Sequence, residues 1–377
     1  LVGMGVDPIT AVTSVAVGHA WSVTFGDMGV VFQTLTALVR VDPLQLAGTV
    51  TTMLGIACLF CGLAAANIFK RLDRWPVVIV LAFIMGFVQY FLAVTKLPAL
   101  AGFLAGLAGV FSGIVINRIW FTDKKVVRDV LKYSLPLRSA LISYGSLALM
   151  MILINLVQPI HSVLAKTTWG VSFPSVTTLT GFFTPEKINQ TYQPLLHPGT
   201  TILLIALLSY LLNRMLRLYT KTNLANIAAI TLSSALPAII GIFSMVGLST
   251  LMDHSGMNIL LANLLSSIFY NSFSIVSPFI GMLGAFATGS NNNSNVLFAS
   301  LQEGIAAILK ISPGIIVAAQ TTGGSLGSMI APAKIIVGLS TVDKKGQEGE
   351  VLRRTIPYGL GIGLAMGIIT FIMVRVM

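Results

Sequence analysis

Gly289-Ser-Asn-Asn-Asn-Ser-Asn295 is the stretch on which the fold turns. Small and amide residues run unbroken here between two apolar segments, 273–288 and 296–309. Backbone that leaves helical geometry at membrane depth survives only where protein or a water-filled cavity satisfies its polar groups. The pattern therefore predicts a re-entrant hairpin. Residues 273–288 enter, the Asn-rich tip turns, and residues 296–309 return. The second arm is short for a full span and is interrupted by Gln302 and Glu303. The alternative is an ordinary polar loop between two full spans.

The rest of the chain is membrane material. Of 377 residues, 55% are hydrophobic and only 9% are charged. Soluble domains carry about 25% charged residues, so this chain cannot cover a water-facing surface. A soluble enzyme, a disordered chain and a disulfide scaffold are excluded. Apolar runs of spanning length lie at 47–69, 76–95, 97–116, 135–160, 200–215, 224–252 and 356–374. About 20 residues suffice to cross the hydrocarbon core. Pro237 predicts a kink in the long 224–252 span, because proline removes a backbone donor.

The net charge of +11 would raise nucleic-acid binding in a soluble protein. Here the basic residues cluster in short loops between spans. The clusters are Lys70, Arg71 and Arg74; Arg118, Lys124, Lys125, Arg128 and Lys132; Arg214, Arg217 and Lys221; and Lys344, Lys345, Arg353 and Arg354. The positive-inside rule places all four in the cytoplasm. The turn at Lys96 and the segment 161–199, rich in Pro, Thr and aromatics, then face outward as a loop with structure of its own.

Two further motifs break apolar segments. One is His19-Ala-Trp-Ser-Val-Thr-Phe-Gly26-Asp27-Met-Gly29, inside 9–39. The other is Gln320-Thr-Thr-Gly-Gly-Ser-Leu-Gly327-Ser-Met-Ile-Ala-Pro332. Thr24–Gly29 and Thr322–Gly327 share the pattern Thr-x-Gly-x-(Met/Leu)-Gly. Each is followed by a Val-Asp pair and one more span, and the charge rule runs the two copies in opposite directions. Inverted repeats with Gly-interrupted helices point to a transporter's midplane site. The expected fold is an all-α polytopic membrane protein, an inverted-repeat ion-transporter fold with a re-entrant hairpin and broken helices. Its expected divisions are 1–46 (broken-helix segment of the first repeat), 47–133 (spans), 134–223 (spans and outer loop) and 224–377 (second repeat).

These motifs resemble the lactate permeases. The likeness lies in His19–Gly29, Gly289–Gln302, Thr321–Pro332 and the closing Gly349-Glu-Val-Leu-Arg-Arg354, in order along the whole chain. The resemblance implies proton-coupled import of lactate, and often glycolate, across the bacterial cytoplasmic membrane. It implies a multi-pass carrier with paired hairpins, in a group where several members are dimers working by an elevator motion, so a homodimer is an expectation. Family members carry an acidic, Gly-rich block nearer the N-terminus that would be the first hairpin, and this chain is expected to begin after it. Many members have Lys at the position of Ser328; here a Lys stands at Lys334 instead.

The substrate-binding candidates are Thr24, Gly26, Ser290, Asn291, Asn292, Asn293, Ser294, Asn295, Thr321, Thr322, Gly323 and Gly324. A 2-hydroxy acid needs donors for a carboxylate and a partner for a hydroxyl, and neutral amides and hydroxyls supply both without burying a charge. Thr24, Gly26, Thr322, Gly323 and Gly324 are expected to form the unwound centres of the two broken helices; tight packing through small residues is the competing reading. The Gly359, Gly363 and Gly367 series reads as a packing face. Proton-coupling candidates are His19, Asp27, Glu303 and Lys334, because ionisable groups in apolar segments are costly unless used or paired. Another small anion, such as a dicarboxylate or an oxyanion, is the alternative cargo, and a non-transporting membrane subunit the alternative class. Cys58-Leu-Phe-Cys61 has CxxC spacing inside a span, without partners that would make a metal or redox site. No metal, cofactor or catalytic constellation is expected.

Overall fold

The computed structural model describes residues 1–95, 97–120, 137–179, 181–216 and 224–376. In chain order the helices are α1 (Pro8–His19), α2 (Val23–Gly26), α3 (Val30–Leu38), α4 (Pro43–Ile68), α5 (Trp75–Ala93), α6 (Ala101–Trp120), α7 (Leu137–Leu156) and α8 (Gln158–Ala165). Then come α9 (Pro198–Met215), α10 (Leu224–His254), α11 (Met257–Phe269), α12 (Phe273–Thr288), α13 (Asn291–Leu309), α14 (Pro313–Gly327), α15 (Pro332–Ser340) and α16 (Glu348–Val376). Among the described residues seven helices are long and apolar enough to cross a membrane, or up to nine spans if two bent pairs each count as one. The expectations at Lys96, Lys124, Lys125, Arg128, Lys132, Arg217 and Lys221 lie outside the described residues.

The chain divides into two compact units, residues 1–130 with 257–377, and residues 131–256. In the first unit α14 is the central helix. Every residue from Gly314 to Gly327 is buried, as expected of a helix covered all round. The stripe Val50, Met53, Leu54, Ala57 and Cys61 on α4 joins Trp21, Phe25, Leu326 and Met329 in one apolar core. Glycines let the helices close in. A Cβ at Gly323 would collide with the Pro278 carbonyl of α12, and one at Gly367 of α16 with the Ile275 carbonyl. Gly359 and Gly363 meet Ile330 and Met282 in the same way, which makes the 359–367 series a packing face. Outward, Phe83, Phe87 and Phe91 form an exposed stack along α5, with ring centroids 6.3 and 6.4 Å apart. An apolar stripe of this kind suits contact with acyl chains.

Local sequence explains where the elements start and stop. Asp7 and Asp42 each cap a helix that begins with proline. Asp7 accepts from Thr10 N at 2.9 Å, and Asp42 from Leu44 N and Gln45 N at 3.0 and 2.9 Å. Proline at the first helical position loses nothing, since its missing N–H would be unpaired there anyway. Between α2 and α3 the chain breaks at Asp27–Gly29, with Met28 and Gly29 at positive φ, and the axis turns by 56°. This is the predicted first broken helix.

The hairpin has a shorter tip than expected. Gly289, in the left-handed region at φ +73°, ends α12, and Ser290 caps α13. Asn291 to Asn295 are therefore the opening turns of a helix and not a loop, because Gly-Ser supplies a complete stop and start in two residues. The first arm is also continuous with a helix the apolar runs missed: α11 passes through a 3-10 turn at Tyr270–Ser272 into α12.

Three more expectations need correction. Thr322, Gly323 and Gly324 are not unwound; they lie inside α14, and the second break comes at Ser328–Ala331, where Pro332 starts α15. Thr24 and Gly26 likewise lie within α2, just ahead of the first break. The 135–160 run does not continue straight. In the second unit α7 ends at Leu156 and the chain turns by 82° at Val157 into α8, with Pro159 in its first turn.

Also in the second unit, the segment before α9 forms two short antiparallel ribbons, Trp169–Phe173 with Lys187–Tyr192 and Val176–Thr177 with Phe183–Thr184. The predicted loop thus has β structure, while the other regular elements among the described residues are helices. Pro237 lies inside the unbroken run of α10.

Candidate functional site

Burying α14 on every side forces its polar residues to find partners inside the protein. Four elements meet there in an uncharged hydrogen-bonded knot. Thr24 Oγ1 of α2 lies 3.1 Å from Thr321 Oγ1 and 2.9 Å from Ser325 Oγ, both on α14. Asn291, in the first turn of α13, donates from Nδ2 to Thr24 Oγ1 at 3.1 Å and to Ser325 Oγ at 3.0 Å. One turn on, Asn295 Nδ2 donates to Thr321 Oγ1 at 2.9 Å. Ser294 Oγ donates to the Gly281 carbonyl of α12 at 2.8 Å. The i and i+4 positions of α13 and of α14 thus face each other across Thr24.

A second network adjoins the first. Gln320 Nε2 donates to Ser294 Oγ at 3.0 Å, and Gln320 Oε1 accepts from Gln302 Nε2. Gln302 also donates to the Ser277 carbonyl at 3.1 Å. Four oxygens in or next to this centre in sequence are buried without a partner among the described residues: Asn291 Oδ1, Asn292 Oδ1, Asn295 Oδ1 and Thr322 Oγ1. A buried polar group left unpaired costs about 1–3 kcal/mol.

The structure thus brings Thr24, Asn291, Asn295 and Thr321 together, with Thr322 beside them. Ser290 serves as the cap of α13, accepting from Asn293 N at 3.4 Å. Asn292 and Asn293 are half-buried at the tip. Gly26 is exposed at the end of α2. Gly323 and Gly324 are contact positions: a side chain at Gly324 would strike Asn291 Oδ1.

The ionisable candidates lie elsewhere. His19 and Lys334 line a cavity of about 790 Å³ between α1 and α15. His19 Nδ1 donates to the Val15 and Ala16 carbonyls, at 3.1 and 2.9 Å. Asp27 is exposed at the first break and within electrostatic range of both His19 and Lys334. Glu303 has a different place. Its Oε1 accepts from the backbone N–H of Arg40 at 2.7 Å, and Ser300 Oγ donates to the Leu38 carbonyl at 3.2 Å. Together they hold the chain leaving α3 against α13.

Sequence reading missed Ser325, Gln302 and Gln320 as members of the centre. It also missed Gln89, buried in α5 and accepting from Ser22 Oγ at 2.6 Å. The signal was present, since an uncharged amide in an apolar helix demands a partner as much as a charge does. Among the described residues no cluster of His, Cys, Asp or Glu could hold a metal ion, and Cys58 and Cys61 are free and buried.

Long apolar helices, a bent helix and a helical hairpin joined by a buried uncharged knot define a multi-pass membrane protein. The chain belongs to the L-lactate permease family, whose model matches residues 1–377, and is a transporter, not an enzyme. It is similar to glycolate permease GlcA of Escherichia coli strain K12, at 25% identity over 99% of this chain and 72% of that protein. It is also similar to the L-lactate permeases of the same strain and of Bacillus subtilis strain 168. Each is 26% identical, over 98% and 99% of this chain respectively and 72% of the relative. No solved structure matches the chain.

Proposed function

We propose that this carrier moves lactate or a similar small 2-hydroxy monocarboxylate together with protons, with substrate recognised where α13 meets α2 and α14. The observation that carries this reading is the set of unpartnered buried oxygens around the knot. Thr322 Oγ1 can donate to a carboxylate, and the Asn291, Asn292 and Asn295 carbonyl oxygens can accept from a hydroxyl. The names of the relatives support the substrate class. The inverted pattern of Thr24–Gly29 and Thr322–Gly327, each placed just before a helix break, supports alternating access by movement of a hairpin unit against a scaffold. His19, Asp27 and Lys334, gathered near one cavity, are the proposed proton-coupling groups, with Glu303 a weaker candidate because its carboxylate already bonds a backbone N–H. The test is lactate-driven proton uptake by reconstituted vesicles. Asn292→Ala and Thr322→Ala are expected to abolish it while leaving expression normal, and unchanged uptake in both would remove the site from this centre.

A further inference from the structure

We propose that Gln89 of α5 is a positioning residue: through Ser22 it anchors the segment 22–29, so that Thr24 is presented to the hydrogen-bonded knot. The anchoring follows from geometry alone, and its effect on lactate recognition rests on the carrier reading above.

Gln89 is 0% exposed on an apolar helix. Its Oε1 accepts from Ser22 Oγ at 2.6 Å. Its Nε2 is the one buried side-chain nitrogen without a partner among the described residues. An amide used at one end only is a poor stabiliser, because the bond gained is offset by the stranded N–H. A methionine would fill the same length with neither polar end. The amide's contribution is therefore one of place. Ser22 closes the 3-10 turn Ala20–Ser22, directly ahead of α2. Where Ser22 sits fixes where α2 begins, and Thr24 follows two residues on.

The segment is held from the same neighbours at two further points. A Cβ on Gly102 of α6 would stand 2.8 Å from Ser22 Oγ and 2.9 Å from the Phe25 carbonyl. Gly29, at φ +70°, lies so close to the turn before α6 that its Cβ would be 3.1 Å from Ala99 Cα. Gln89 itself stands on a tightly seated helix: a Cβ on Gly86, one turn earlier, would be 3.2 Å from Gly55 Cα of α4. Ser22, Phe25 and Gly29 thus meet α5 and α6. Thr24 reaches instead to Thr321, Ser325 and Asn291. Contact with α5 and α6 sets how far Thr24 extends toward the knot.

Two measurements test this on wild type, Gln89→Met, Gln89→Glu, Ser22→Ala and the pair Ser22→Ala with Gln89→Met. The first is lactate uptake by reconstituted vesicles. Gln89→Met should raise KM for lactate about tenfold, the equivalent of one misplaced hydrogen bond. Its Vmax should stay within about threefold of wild type, and its unfolding temperature should not fall. Gln89→Glu, which keeps an acceptor for Ser22, should bring KM back to within about threefold of wild type. The pair should raise KM no further than Gln89→Met alone, since both changes remove the same bond. The second measurement is hydrogen exchange of the purified full chain without lactate. Amides of residues 20–29 should exchange about threefold faster in Gln89→Met, with the rest of the chain unchanged. Exchange at 20–29 equal to wild type, or raised throughout the chain with a lower unfolding temperature, would overturn the anchoring. A wild-type KM in Gln89→Met, no recovery in Gln89→Glu, or additive effects in the pair would overturn the link to recognition. If wild type moves no lactate, the carrier reading fails, and the exchange measurement by itself decides whether Gln89 anchors the segment.

Discussion

Asn291 Nδ2 donates across 3.1 Å to Thr24 Oγ1, joining residues 267 positions apart. The bond ties the hairpin arm to the broken helix, with α14 completing the contact through Thr321 and Ser325. Asn291→Ala removes the amide donor to Thr24 and Ser325 and leaves Asn295 as the amide donor to Thr321. Its expected effect is a loss of lactate uptake of tenfold or more, with unfolding stability lowered by about 1–3 kcal/mol. Asn291→Ser, which keeps a donor, should retain more of both. Uptake assays and thermal unfolding in detergent provide the two readings.

Gln302 Nε2 donates to Gln320 Oε1, and each amide has a further partner, Ser277 for Gln302 and Ser294 for Gln320. Gln320→Leu should destabilise by about 1–3 kcal/mol, because it leaves one N–H of the buried Gln302 amide without its acceptor and removes the donor to Ser294 Oγ. Adding Gln302→Leu should cost less than the sum of the single changes, since the stranded group is then removed as well. A double-mutant cycle on unfolding midpoints checks this, and strict additivity would mean that the two amides act independently.

Close helix packing makes opposite predictions for two glycines. Gly323→Ala pushes a methyl into the Pro278 carbonyl and should leave little folded protein. Gly361→Ala, with nothing within 4 Å of the new methyl on α16, should be neutral or raise stability by about 1 kcal/mol through helix propensity. Fluorescence-detected size exclusion of the two variants separates these outcomes.

Glu303 discriminates a coupling role from a structural one. Its carboxylate accepts from Arg40 N, and an amide oxygen can take the same bond. If the residue serves mainly to hold the end of α3, Glu303→Gln keeps proton-driven uptake within about twofold and Glu303→Ala loses stability. Lactate flux that no longer responds to a pH gradient in Glu303→Gln would return Glu303 to the coupling path.

The sequence was most informative where chemistry is local. The scarcity of charge marked the membrane. The block from Asn291 to Asn295 marked the hairpin, and Thr24 and Thr321 the centre. It misled where composition stood in for geometry. An Asn-rich run looks like a loop, but after Gly289 and a Ser290 cap the asparagines become helix turns. Gly323 and Gly324 look like an unwound centre, but burial of α14 on every side uses them for contact. Ser325, Gln302 and Gln320 could not be placed because their partners lie on other helices, and helical spacing along one segment does not show them.

The central claim is that this chain moves lactate together with protons and recognises lactate at the centre around Asn291, Thr24 and Thr322. The most direct test is proton flux into vesicles carrying the purified protein, followed with an internal pH dye after an inward lactate gradient is imposed. Wild type should acidify the lumen, and Asn291→Ala and Thr322→Ala, equally well folded and reconstituted, should not. Acidification by the variants equal to wild type, or none by wild type itself, would contradict the account.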